Sequence, residues 1–223
     1  MEGERLESEG ADIGAVDGVI PPNQARSREA QARLMRAGEA VFAQKGYDEA
    51  HVSDIAAAAK CSIGSFYRRF RDKEALFRAL HLQFAQRTRD NFDRFFAMPQ
   101  WEGVASAQVI GTLVENTGRV IQRHPGFFRA FLQRTLAGAG QTYSPALREA
   151  DAYSGRKLAA FLRARGEGPS EGLDDACILG LRTVEAALIH RALHSADPGE
   201  DVPVYATDSL GRMLTLFLGV PLR

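Results

Sequence analysis

The sequence predicts an all-α protein, and three observations carry that prediction. From Ser27 onward apolar residues recur at spacings of three and four, the period of a helix with one buried face. No run of alternating apolar and polar residues is long enough to argue for a sheet. Turn-forming residues fall at separated points that cut the chain into helices. With 45% hydrophobic and 25% charged residues among 223, the chain has ordinary globular composition, which excludes a collagen-like or wholly disordered protein. The apolar content suffices for one or two packed cores.

The elements follow in order. Residues 1–26 are rich in Gly, Glu and Asp, hold no aromatic residue and run into Pro21-Pro22, so they are expected to be a disordered acidic tail. The tail has no basic start and no long apolar run, and so does not read as a signal peptide. Ala30, Leu34, Ala37, Val41 and Phe42 stripe a first helix of about 27–45, ended by Gly46. Val52, Ile55, Ala56 and Ala59 mark a short second helix within 52–59. After a break at Lys60-Cys61, Ser62 caps a short third helix with Phe66 and Phe70 on its inner face. Asp72 caps a long fourth helix, about 72–97, with Glu74 favourably placed in its first turn. Further helices are expected at about 103–124, 126–137, 145–165, 173–195 and 204–218.

Charge sharpens this picture. The chain carries 28 basic and 28 acidic residues, a balance that seems to argue against nucleic acid. Residues 1–25, however, hold one basic and six acidic residues, residues 26–96 hold 14 and 9, and residues 97–223 hold 13 and 13. The net charges are therefore −5, +5 and 0, and such asymmetry points to a nucleic-acid or membrane surface. No stretch approaches the ~20 apolar residues that span a bilayer, so a cytoplasmic protein without membrane contact is expected. Two cysteines, neither in a CxxC pair, fit a reducing compartment.

The basic segment contains two short helices joined by a tight turn, the pattern of a helix-turn-helix. Burying Phe66 and Phe70 leaves Ser62, Ile63, Gly64, Ser65, Tyr67 and Arg68 facing outward. Gly64 lets the backbone approach a groove, and the N-terminal amides of the third helix suit a phosphate. Arg68, Arg69, Arg71 and Lys73 form a basic cluster running into the fourth helix. One residue off the Phe66/Phe70 face, Tyr67 is expected to contact phosphate.

Four motifs in order carry a resemblance: Ala40-Val-Phe-Ala-Gln-Lys-Gly-Tyr47, Ser53-Asp-Ile-Ala-Ala-Ala-Ala59, Ser62-Ile-Gly-Ser-Phe-Tyr-Arg-Arg-Phe70 and Asp72-Lys-Glu-Ala-Leu76. Over about residues 28–80 the chain resembles the N-terminal domain of TetR-family transcriptional regulators. The resemblance implies an all-helical homodimer whose C-terminal domain binds a small effector, dimerises through its last two helices and releases DNA on effector binding. It makes Ser62, Ile63, Gly64, Ser65, Tyr67 and Arg68 the recognition face and Lys73 the phosphate-contacting lysine. Two positions depart from the family pattern. Lys60 stands where glycine is usual in the turn, implying a different turn or an added phosphate contact. His51 stands where a capping threonine is usual, leaving the second helix without that cap. Ile63 replaces a commonly polar residue and suits a thymine methyl.

The remaining half supplies the effector reading. Seven of the 13 phenylalanines lie between Phe84 and Phe131. Phe92, Phe95, Val109, Leu113, Asn116, Phe127, Phe131 and Arg134 are the candidate effector-contacting residues, because Asn116 and Arg134 interrupt apolar stripes and a buried polar group must find a partner. An anionic or carbonyl-bearing effector follows if Arg134 faces the pocket, and a bulky apolar or aromatic one otherwise. Ile178, Leu181, Val184, Leu188, Leu210, Met213, Leu214 and Phe217 give the last two helices faces suited to a two-fold dimer, which reads a palindromic operator on double-stranded DNA.

The prediction is an N-terminal three-helix DNA-binding domain (27–80) joined by a long helix to a C-terminal effector-binding and dimerisation domain (81–223). Its function is that of a ligand-responsive regulator, a repressor in the first instance. GxSxG, HExxH, P-loop and GxGxxG motifs are lacking, so no enzyme, cofactor or resident metal is expected. Two alternatives are a metal or redox sensor using His190 and His194 or Cys61, and an adaptor that uses the helical domain for protein contacts.

Overall fold

In the computed structural model the described residues are 13–21, 25–134, 140–194 and 204–222, and among them the backbone is helical with no strand. Nine α-helices follow one another: α1 Ala25–Lys45, α2 Val52–Ala58, α3 Ile63–Tyr67, α4 Lys73–Phe96, α5 Ser106–Arg123, α6 Pro125–Arg134, α7 Gly140–Ala164, α8 Leu173–His194 and α9 Val204–Phe217. The all-α expectation holds, and the expected helices correspond to these nearly one for one. The largest boundary difference is at α7, which begins before Pro145 instead of at it. Pro145 is the sixth residue of α7, past the first turn, so its missing N–H removes one i→i−4 bond and its ring crowds the carbonyl four residues earlier.

The chain divides into two units, Met1–Arg87 with Arg129–Leu147, and Thr88–Phe128 with Arg148–Arg223. The core of the first is aromatic: Phe42, Phe66, Phe70 and Phe77 are fully buried with Leu34, Ile55 and Leu76. Phe77 packs edge-on to Phe42 at 4.9 Å and tilted against Tyr47 at 4.9 Å. Gly38 lets α1 approach α4 at Leu76, where a Cβ would stand 2.6 Å from Leu76 Cδ2 and force that side chain to shift.

Part of the presumed tail is not disordered. Residues 13–21 make a 3-10 turn at Ile13–Ala15 and then pair with the segment after α3, through an antiparallel bridge between Val19 and Phe70. Val19 is buried there, which the sequence could not reveal because the apolar residues from Ile13 to Ile20 span too few positions to set a period. Residues 1–12 and 22–24 lie outside the described residues.

In the second unit Phe95, Trp101, Val109 and Leu113 form a buried cluster, with Phe92, Phe96, Val104, Phe161 and Leu181 packed against it. Arg165 holds the segment between α4 and α5, donating to the carbonyls of Val104 and Trp101 and to Ser106 Oγ. Helices α5 and α9 pack with backbone nearly in contact: a Cβ on Gly211 would stand 3.1 Å from the Gly111 Cα.

Candidate nucleic-acid interface

The reading element is built from α2, a turn and α3. Ile55, Ala56 and Ala59 of α2 are buried, while Ala57 and Ala58 face solvent. The His51 side chain makes no cap bond, but the Asp54 carboxylate accepts from the His51 N–H at 3.1 Å, so the helix start is closed from within. Lys45 secures the same carboxylate at 2.8 Å, and its hydrogen bond, with that of the His51 backbone, holds the Asp54 pKa down.

The turn keeps the left-handed conformation that glycine would favour, with Lys60 at φ +53°. Cys61 N–H donates to the Ala56 carbonyl at 3.0 Å and Lys60 N–H to that of Ala57 at 3.0 Å, the double closure of a helix that ends in a left-handed residue. The departure from glycine therefore leaves the turn geometry intact, at a cost of about 1 kcal/mol for a side chain at positive φ.

Ser62 caps α3, its hydroxyl accepting from Ser65 N–H at 3.1 Å. Five residues then divide cleanly. Phe66 and, just beyond, Phe70 are fully buried, whereas Ser62, Ile63, Gly64, Tyr67 and Arg68 are exposed and Ser65 is half-buried. Ile63 and Tyr67, about half exposed each, form an apolar and aromatic pair on the outward surface. Lys60 is exposed on the preceding turn.

Arg69 and Lys73 are engaged differently. Arg69 Nε donates to the Ser27 carbonyl at 3.4 Å, tying the segment after α3 to the start of α1. Lys73 Nζ donates to the carbonyls of Tyr47 (2.9 Å), Asp48 (3.0 Å) and Ala50 (3.1 Å) and lies 4.6 Å from the Tyr47 ring centroid. An ammonium has three protons to donate, so these bonds use all of them. The geometry makes Lys73 a staple for the α1–α2 connection.

The candidate effector residues are divided between the two units. Phe92, Phe95, Val109 and Leu113 belong to the aromatic cluster of the second unit. Asn116 is half-buried and its side-chain oxygen accepts from Arg119 on the same helix at 3.1 Å. Phe127 is buried against Phe128. Phe131 and Arg134 lie in the first unit instead. The Phe131 ring is 4.7 Å from His81, and the Arg134 guanidinium pairs with Glu74 at 3.1 Å and stacks 4.2 Å over Tyr47. Tyr47 also donates its hydroxyl to Glu74. His81 is buried, its Nδ1 lies 2.7 Å from the Phe77 carbonyl, and burial lowers its pKa to about 4, so the ring is neutral at pH 7. Sequence reasoning missed Tyr47, Glu74 and His81 as partners of α6, since no local pattern joins residues so far apart in the chain.

Among the described residues no group of three or more His, Cys, Asp and Glu gathers to hold a metal. His190 is exposed on α8, and the His194 side chain lies outside the described residues. Cys61 is half-buried beside the turn. Cys177 is buried, and desolvation raises its thiol to about 12. No helix among the described residues is long and apolar enough to cross a membrane.

Residues 34–80 match the family model of the bacterial regulatory proteins of the tetR family. The N-terminal domain belongs to that family. The whole chain also has the family's fold. A TetR-family transcriptional regulator from Mesorhizobium loti superposes with a TM-score of 0.70 at 19% identity, covering 88% of this chain and all of that one. The transcriptional regulator FadR of Bacillus subtilis, solved with stearoyl-CoA, gives 0.61 at 14% identity over 82% of this chain and 96% of its own. RolR, solved with resorcinol, gives 0.55 at 21% over 88% and 91%. No curated protein matches the sequence. TetR-family regulators bind DNA through the helix-turn-helix and are not enzymes.

Proposed function

We propose that this tetR-family protein is a ligand-responsive repressor in the cytoplasm, held on a palindromic operator as a homodimer and released by a small-molecule effector. The observation that carries the reading is the division of α3. Burial of Phe66 and Phe70 turns Ser62, Ile63, Gly64, Tyr67 and Arg68 outward on a slim element that a major groove admits. In this reading residues 27–80 read DNA, with Lys60, Ser65, Arg69 and Arg68 supplying further polar and backbone contacts. Residues 81–223 hold the effector and the dimer interface.

Leu179, Met213, Leu216 and Phe217, exposed on α8 and α9, support dimerisation through these helices, because exposed large apolar residues grouped on paired helices fit a two-fold bundle. Stearoyl-CoA in FadR and resorcinol in RolR support an effector in the C-terminal half. An apolar or aromatic compound is favoured over an anion, since Glu74 already meets the Arg134 charge. Binding would bias one spacing of the two reading heads over another.

The test is a salt series of binding to duplex DNA, including the region around the gene of this protein. Steep loss of affinity with rising salt and protection of a two-fold symmetric site are expected. Binding to no duplex at any salt would refute the reading and leave the adaptor alternative.

A further inference from the structure

The segment ahead of α1 is fitted to the reading domain by more than proximity. Ile20 N–H donates to the Arg69 carbonyl at 2.8 Å, and Arg71 N–H donates to the Gly18 carbonyl at 2.8 Å. Val19, between them, is 7% exposed. Gly18 has φ +86°, and a Cβ there would stand 2.9 Å from the Cβ of Ala75, so only glycine lets the segment lie this close. These constraints bring Asp17 to Arg71. Its two carboxylate oxygens accept from Arg71 Nη1 at 3.2 Å and Nη2 at 3.0 Å, while Arg78 Nη2 stands 3.9 Å away. The guanidinium also donates to Asp72 at 3.3 Å.

A guanidinium fork that takes two oxygens of a carboxylate takes two oxygens of a phosphodiester with the same geometry. We propose that Arg71, supported by Arg78, is a DNA-backbone phosphate site at the end of the reading element, and that Asp17 fills it as an internal anion in the free protein. This rests on the DNA-binding reading above.

The location favours a nucleic-acid phosphate. Arg71 directly follows the segment Arg68–Phe70 that leaves α3, within the stretch of net charge +5. The occupant is suited to exchange. Asp17 and Arg71 side chains are 71% and 56% exposed, and such pairs hold weakly in water, whereas a duplex gains by counterion release. The backbone pairing keeps the carboxylate beside the site, so every duplex must displace it. A random duplex, with fewer compensating base contacts, feels that competition most.

The test uses the full chain as wild type, Asp17→Asn, Arg71→Met and the double variant, each titrated with a random-sequence duplex across a salt series. Asp17→Asn keeps the backbone seat and removes the charge, and should bind about two- to fivefold tighter at low salt. Arg71→Met should weaken binding and flatten the salt slope by about one. In the Arg71→Met background, Asp17→Asn should give no gain. Wild-type affinity for Asp17→Asn, an unchanged slope for Arg71→Met, or an equal gain in both backgrounds would each overturn the proposal while leaving DNA binding intact. Absence of duplex binding by the wild type itself would instead refute the regulator reading, and this site with it.

Discussion

The α2–α3 pair and the aromatic cluster around Trp101 are both organised by phenylalanine, yet they expose different things. On α3, five residues long, burying Phe66 turns Ile63, Gly64 and Tyr67 outward, and with Ser62 and Arg68 at the two ends they are the candidate base-reading surface. In the second unit the aromatic residues bury one another: Phe95 lies 4.9 Å from Trp101 and Phe96 5.1 Å from Phe161. An aromatic stripe therefore reports a core in both places. It reports a binding surface only where the helix is too short and too thinly covered to bury its other side.

The contrast can be broken most forcefully at Phe66. Phe66→Ala should cost about 3–5 kcal/mol by emptying the space under α3, measured by denaturant unfolding, and should abolish DNA binding. A well-folded variant that still binds would mean that the inner face does not set the outer one. Next comes Lys73. Lys73→Met should cost about 2 kcal/mol through three lost hydrogen bonds from a charged donor. It should weaken DNA binding without flattening the salt slope, whereas loss of a direct phosphate contact would flatten it by about one.

In the second unit the sharper probe is Glu185 on α8. Burial, reinforced by repulsion from Asp151 and partly offset by Arg182, raises its pKa from 4.5 to about 7. Between those values the folded state holds a proton that the unfolded chain has released, so stability falls as pH rises through the window. Glu185→Gln should match the wild type near pH 5 and exceed it by about 1–2 kcal/mol near pH 8, with thermal melts at both pH values as the measurement. A constant difference across pH would exclude this titration. The smallest effect is expected at Lys60, where Lys60→Gly relieves the left-handed strain and should stabilise by about 1 kcal/mol. Its removal of an exposed cation should at the same time weaken binding to duplex at low salt.

Legibility in the sequence followed range of interaction. The helices, the Ser62 cap and the outward face of α3 were readable because each depends on residues within four positions of one another. The turn is readable as a turn, although the positive φ of Lys60 shows only in the folded structure. Partners far apart in the chain were not readable. Arg134 stands out in the sequence as a charge interrupting an apolar stripe, but its pairing with Glu74 has no local signature. The resemblance implies a phosphate contact for Lys73, while its three carbonyl acceptors emerge only when the α1–α2 connection is folded beside it. The docking of residues 13–21 escaped notice because it rests on backbone bonds, one valine and one glycine.

The close approach of Gly111 to Gly211 has a consequence for how the molecule is made. Helices α5 and α9 meet backbone to backbone although roughly a hundred residues separate them, so this part of the core is dominated by contacts distant in sequence. On the ribosome, α5 emerges long before its partner exists. Residues 25–80 have been made by then, while the second unit waits for α9 with the α5 face that it covers still bare.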